Sequence, residues 1–264
     1  MVLPPQRRIP LQGRDFTLQF VPYNYGPFSF CLYRDMDEFV NLSVVRRVSE
    51  EEWELEKPVD NSFDALSRQI RQDMREMLYR FGNKRLDELT SYVYKSHGWY
   101  TIYSKKSKLQ ERPVAKLAVY TAGYEGLQIE GFLNMLLVNG ISRIIDIRNN
   151  PIARCYGFHK STLGRLSTKI NIDYFHFPQL GIHSELRQNL STRSDYQQLF
   201  TRYKQRILKT QTGPVCRASE LMLERPSVLV CRETDPSLYH RSRTAEVIRE
   251  KTGLSIEHLA PAAI

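Results

Sequence analysis

Beyond residue 113 the spacing of hydrophobic positions switches repeatedly between two periods. Short runs such as Leu117-Ala118-Val119-Tyr120-Thr121, Arg143-Ile144-Ile145-Asp146-Ile147, Ile172-Asp173-Tyr174-Phe175-His176-Phe177 and Ser227-Val228-Leu229-Val230 are mostly apolar and read as strands. Between them, apolar residues recur three or four positions apart, as on one face of a helix. Residues 130–138 place Phe132, Leu133, Leu136 and Leu137 inward and stop at Asn139-Gly140. Residues 161–170 form a second helix capped by Ser161. Residues 194–208 carry a stripe of Tyr196, Leu199, Phe200, Tyr203 and Ile207, and residues 215–223 give a further helix. After the last apolar run a helix begins near Ala245, Val247 and Ile248, and Ile256-Glu257-His258-Leu259 closes the sheet.

Strands alternating with helices predict a Rossmann-like α/β domain over residues 114–264, with a mainly parallel sheet. Because the strands are apolar nearly throughout, helices should cover both faces.

Residues 1–103 have a different texture. Phe16 to Tyr23 alternates like a short strand or extended lead-in, and Gly26-Pro27 makes a turn. A helix follows through Leu32, Met36, Phe39 and Val40, with Ser29 as its cap. Val44-Val45-Arg46-Arg47-Val48 and Trp53-Glu54-Leu55-Glu56 suit a small hairpin with charged outer faces. Two helices come next. One starts near Ser62 with Phe63, Leu66, Ile70, Met74 and Leu78 inward; the other spans 86–94, with Gly82 and Gly98 as stops. This outlines a small helix-rich domain with a winged-helix character. Phe20-Val21-Pro22-Tyr23-Asn24-Tyr25-Gly26-Pro27-Phe28-Ser29, with Leu32-Tyr33-Arg34-Asp35 after it, resembles the Panacea domain of SocA-like antitoxins. Tyr23, Tyr25 and Phe28 are expected to pack as a local aromatic cluster rather than stack on bases. Residues 104–113, polar and without periodicity, read as a linker.

The net charge of +9 changes this picture in one respect. Most of the basic excess lies after Pro113, where arginine outnumbers lysine. Arginine suits bidentate contact with phosphate or carboxylate, so the expected partner is a phosphorylated small molecule or a nucleic acid. A basic surface without that role is the competing reading. No run reaches the roughly 18 apolar residues of a membrane helix, and no apolar leader opens the chain, which suits a cytoplasmic protein without a membrane partner. Cys31, Cys155, Cys216 and Cys231 show neither Cys-x-x-Cys spacing nor zinc spacing with histidine, so no metal site is expected.

Ligands of open α/β sheets bind beyond the carboxyl ends of the strands. Three turns should meet there. The first carries Gly123, Tyr124 and Glu125, without the glycine pattern of a dinucleotide fold or P-loop. The second carries Asp146, Arg148, Asn149, Pro151 and Arg154. The third carries Cys231, Arg232, Glu233, His240, Arg241 and Ser242. Asp146, Glu233 and His240 are the candidate acid/base groups; Arg148, Arg241, Gly123, Tyr124, Arg154 and Ser242 are the candidate ligand-binding residues. A buried arginine–carboxylate network that only fixes the loops would use the same residue types. Cys231 reads as a buried strand-end thiol rather than a nucleophile, and Glu185 and Arg187 could reach the same edge.

Several motifs occur together in order: Thr121-Ala122-Gly123-Tyr124-Glu125-Gly126, Ile145-Asp146-Ile147-Arg148-Asn149-Asn150-Pro151, Gly157-Phe158, Ile172-Asp173-Tyr174-Phe175-His176-Phe177-Pro178-Gln179-Leu180-Gly181, Ser184-Glu185-Leu186-Arg187, and Cys231-Arg232-Glu233 with His240-Arg241-Ser242. With them the chain resembles the domain-of-unknown-function 488 family, which implies a Rossmann-like fold but no settled reaction or cofactor. Where that family commonly has Cys-His-Arg, this chain has Tyr239-His240-Arg241, which weakens a dithiol, redox or metal role for Cys231. The leading expectation is an enzyme hydrolysing a phosphate ester or N-glycosidic bond of a nucleotide or nucleic-acid component. The alternative is a non-catalytic module that binds a nucleotide or partner and whose N-terminal domain contacts DNA or protein; a purely structural role is the third. The sequence leaves the oligomeric state open.

Overall fold

The computed structural model describes residues 9–11, 14–16, 18–49, 52–56, 62–153, 155–183, 186, 193–233 and 240–260. The chain divides into two compact units, Met1–Glu111 and Arg112–Ile264.

In the first unit, described strands pair as three antiparallel two-stranded ladders. They are β1 (Ile9–Leu11) with β2 (Arg14–Phe16), β3 (Val21–Tyr23) with β4 (Gly26–Phe28), and β5 (Val45–Arg47) with β6 (Trp53–Leu55). The Ser29 side chain accepts from Leu32 N at 3.3 Å and starts α1 (Phe30–Asn41), as its position before the periodic stretch predicts. Tyr23, Tyr33 and Phe30 gather round Phe28, with ring centroids 4.3 to 5.2 Å from it. Tyr25, expected in that cluster, is instead exposed. Residues 62–65 form a 3-10 turn, after which Ser67 caps α2 (Arg68–Phe81). Its apolar stripe does not face inward as its period suggests: Ile70 alone of the helix is buried. The helix α3 (Leu86–Ser96) ends at His97, one residue before the expected glycine stop. Segment 104–110 packs on this unit, with Lys105 N donating to Asn24 O, Leu109 N to Thr101 Oγ1, and Ser104 Oγ sharing a hydrogen bond with Tyr94 OH.

The second unit is built on one parallel sheet. In chain order its strands are β7 (Val119–Gly123), β8 (Arg143–Asp146), β9 (Asp173–His176), β10 (Ser227–Cys231) and β11 (Ile256–Leu259). In space they run β11-β7-β10-β8-β9, every pair parallel. The helices between them are α4 (Ile129–Val138), α5 (Lys160–Lys169), α6 (Arg193–Arg202), α7 (Thr212–Glu224) and α8 (His240–Thr252). Residues 203–208 continue α6 as a π-helix where a longer α-helix was expected, and His159 rather than Ser161 caps α5.

Helices cover both sheet faces, and alternation along each strand assigns residues to them. Val119, Ile145 and Leu229 point to the core shared with α6, α7 and α8, where Leu199, Ala218, Met222 and Ile248 are buried. Residues one step along, including Ala122, Asp146, Val230 and Tyr174, point to the other face. There Gly164 of α5 lies against the Tyr174 ring.

Gly157 anchors the loop after β8 to this second layer. Its φ is +91°, and a Cβ there would stand 2.5 Å from the Ile129 Cβ of α4. Gly157→Ala should therefore cost about 3 kcal/mol, from the left-handed backbone together with overpacking, read as a lower urea midpoint with an unchanged m-value.

Candidate functional site

Asp146 closes β8 with 0% of its surface exposed, in an apolar layer where an unpaired carboxylate would be untenable. The chain turns so that Arg148 folds back on it. Arg148 Nε donates to Oδ1 at 2.9 Å and Oδ2 at 3.1 Å, Nη2 donates to Oδ2 at 2.5 Å, and the Arg148 backbone N–H donates to Oδ1 at 3.0 Å. Tyr174 OH, from β9, donates to Oδ2 at 2.7 Å. The remaining arginine nitrogen, Nη1, donates to Tyr124 OH at 2.8 Å and to Phe158 O at 2.7 Å. The Tyr124 ring stacks on Phe158, centroids 4.1 Å apart. The loops after β7 and β8 and the strand β9 are tied together by this network.

Its electrostatics follow from burial. Desolvation pushes the Tyr174 hydroxyl well above its ordinary value, and the Asp146 carboxylate adds to the shift. Desolvation also raises Tyr124, partly offset by Arg148. For Arg148, burial opposes the charge, but its hydrogen bonds to Asp146 outweigh that and hold it above the usual guanidinium value. The donors of Arg148 are thus largely used within the protein.

A second cluster forms on the opposite face. Arg241, in the first turn of α8, is 1% exposed. Its Nη1 donates to Cys231 Sγ at 3.1 Å and to the Glu233 carbonyl, and its Nε reaches Thr121 Oγ1 at 3.4 Å. Thr121 Oγ1 also bonds His258 Nδ1 on β11 at 2.7 Å. Burial pushes the Cys231 thiol up to about 12, with Glu233 adding and Arg241 opposing. The group is a neutral thiol near pH 7, which suits a strand-end thiol. Burial lowers His258, and the neighbouring Arg241 cation lowers it further.

The candidate residues therefore do not meet as one cluster across a sheet edge. Strand alternation sends Asp146 to one face, while Cys231 and Thr121 point to the other. Tyr124 and Glu125 N–H groups both donate to Arg232 O, so the loops after β7 and β10 do meet. Glu233 joins the two halves electrostatically, since its charge raises both Tyr124 and Cys231. The His240 ring meets Tyr203 edge-on at 5.7 Å, among helices rather than beside Asp146. Gly123 pairs in register with Cys231, and Ser242 lies half-buried in α8. Arg154, Glu185 and Arg187 lie outside the described residues. Thr121 and Tyr174, which stand in the family motifs, and His258 were not among the expected site residues. A threonine and a tyrosine within strands, and a histidine on an edge strand, carry no sequence signal until register places them.

Among the described residues, no three His, Cys, Asp or Glu side chains gather as a metal site, and no helix is long and apolar enough to cross a membrane.

Residues 128–248 match the family model of a domain of unknown function, DUF488. The match covers the turns after β8 and β10, so the family resemblance holds for this unit, while the N-terminal likeness to the Panacea domain is not confirmed. No curated protein and no solved structure matches the chain.

Two measurements check the site's chemistry. Asp146→Asn breaks a buried ion pair and should cost about 3 kcal/mol or more, whereas Tyr174→Phe, which removes one hydrogen bond, should cost about 1–2 kcal/mol, both by urea unfolding. Thiol titration at pH 8 should label exposed Cys155 and Cys216 quickly in the native protein, and Cys231 only once it unfolds.

Proposed function

We propose that this chain, whose residues 128–248 match the DUF488 family model, binds a phosphate-bearing ligand, a nucleotide or nucleic-acid component, at the carboxyl ends of β7 and β10. One observation carries the reading: a guanidinium, that of Arg241, is held deep in the first turn of a helix at the carboxyl end of a parallel strand. The chain leaves β10 for α8 on one face and leaves β7 for α4 on the other, so the two crossovers diverge from the point where Arg232 O ties the turns together. In such sheets the parting of adjacent loops forms the ligand crevice. Helix-start N–H groups and a guanidinium both favour an anion there. Thr121 and Cys231 fix the guanidinium from behind, and Asp146 with Arg148 forms the frame that holds the neighbouring loops.

The accompanying reaction is hydrolysis of a phosphate ester or N-glycosidic bond. Glu233, two residues past the end of β10, would act as the base on water, with Arg241 offsetting the developing negative charge. A non-catalytic, ligand-sensing module is the second reading. It is favoured by the engagement of both Asp146 oxygens within the protein and by the protonated state of Cys231.

Calorimetry with AMP and with inorganic phosphate tests binding. Both should raise the melting temperature of the wild type, and Arg241→Lys should weaken AMP about tenfold, because a point charge replaces a planar fork. No response of the wild type to either probe would count against the site. Product analysis with nucleotide substrates then separates the readings: Glu233→Gln should bind normally and lose turnover, whereas binding without turnover in the wild type assigns the module a sensing role.

A further inference from the structure

The helix α2 turns an apolar stripe outward. Met74, Met77 and Leu78 are 42%, 51% and 65% exposed. Together with Ile70, Asp73, Phe81 and Gly82 they line a groove of about 450 Å³ along the helix. Ile70, Met74, Met77 and Phe81 follow one another at steps of four, three and four residues, the alternation by which one helix seats its side chains between those of another. Methionine at the centre of such a face adapts its shape to what it meets.

The charges beside the stripe specify what it meets. Asp73 and Arg80 are two helical turns apart on the same flank, one acidic and one basic. Both are held in place by their own chain. Gln69 Nε2 donates to Asp73 Oδ1 at 3.0 Å, and Arg80 Nη2 donates to Tyr92 OH at 3.1 Å, its guanidinium lying over the Phe81 and Tyr92 rings.

We propose that α2 is a homodimer interface, in which it packs antiparallel against α2 of a second copy of this chain. In that arrangement Met74 of each copy layers with Met77 of the other, flanked by Phe81, while Ile70 stays buried in its own unit and floors the groove. Two-fold symmetry brings Asp73 of each copy against Arg80 of the other, so one matched pair forms twice. A parallel pairing would set Asp73 beside Leu78 and leave the charges unmatched. The flank is therefore complementary to itself in one orientation, which is what distinguishes a second copy from an unrelated amphipathic helix.

Sedimentation velocity on the full chain, over a concentration series, is the test. The wild type should dimerise with rising concentration. Asp73→Arg and Arg80→Asp, each placing like charges together twice, should each raise the dimer dissociation constant about tenfold. The double variant, which restores the match with the signs exchanged, should return it toward the wild-type value. Circular dichroism confirms that each variant keeps its helix content. A wild type that stays monomeric throughout, single variants that dimerise as the wild type does, or a double variant no tighter than the singles would each overturn the proposal.

Discussion

A carboxylate at the end of a fully buried strand is the constraint around which the α/β unit is arranged. Asp146 has no water to solvate it, so its charge must be met by the protein. Arg148 meets it from two residues away, Tyr174 from the next strand, and the arginine then draws in Tyr124 and Phe158. Satisfying one charge thus fixes the loops that follow β7 and β8 and the strand β9. Networks of this kind stand or fall together, because each member left unmatched is itself a buried polar group.

The same sheet imposes a division of labour. Alternation along β8 and β10 places Asp146 and Cys231 on opposite faces, so an ion-paired frame develops on one side and a thiol–guanidinium cluster on the other. The frame is saturated within the protein. The cluster sits at the start of a helix, where backbone dipoles favour negative charge. Glu233 lies where both sides feel its charge.

The parallel sheet was legible in the sequence because apolar runs and helical stripes alternate so regularly from Val114 on. The order of strands was not, and without it no residue could be given a neighbour. Asp146 and Arg148 stand out as charges in an apolar context, yet whether they hold each other or a ligand depends on Tyr174 and Phe158, which lie on separate elements. Thr121 and His258 meet only because β11 pairs beside β7, a register no local pattern announces. For α2 the reverse held: Met74 and Leu78 carry the correct helical period, but periodicity says that a face is apolar and not what covers it.

The position of β11 at the outer edge of the sheet has a consequence for how the unit is made. The segment from β7 to β9 supplies the side chains that Asp146 and Arg148 bond, yet β10, later in the chain, lies between β7 and β8 in the sheet. The guanidinium cluster draws on β7, β10, α8 and finally β11, the last strand in chain order, which alone supplies His258. On a chain emerging amino end first, both the frame, which spans the slot that β10 fills, and the guanidinium cluster, which β11 completes, depend on strands that come late in the sequence.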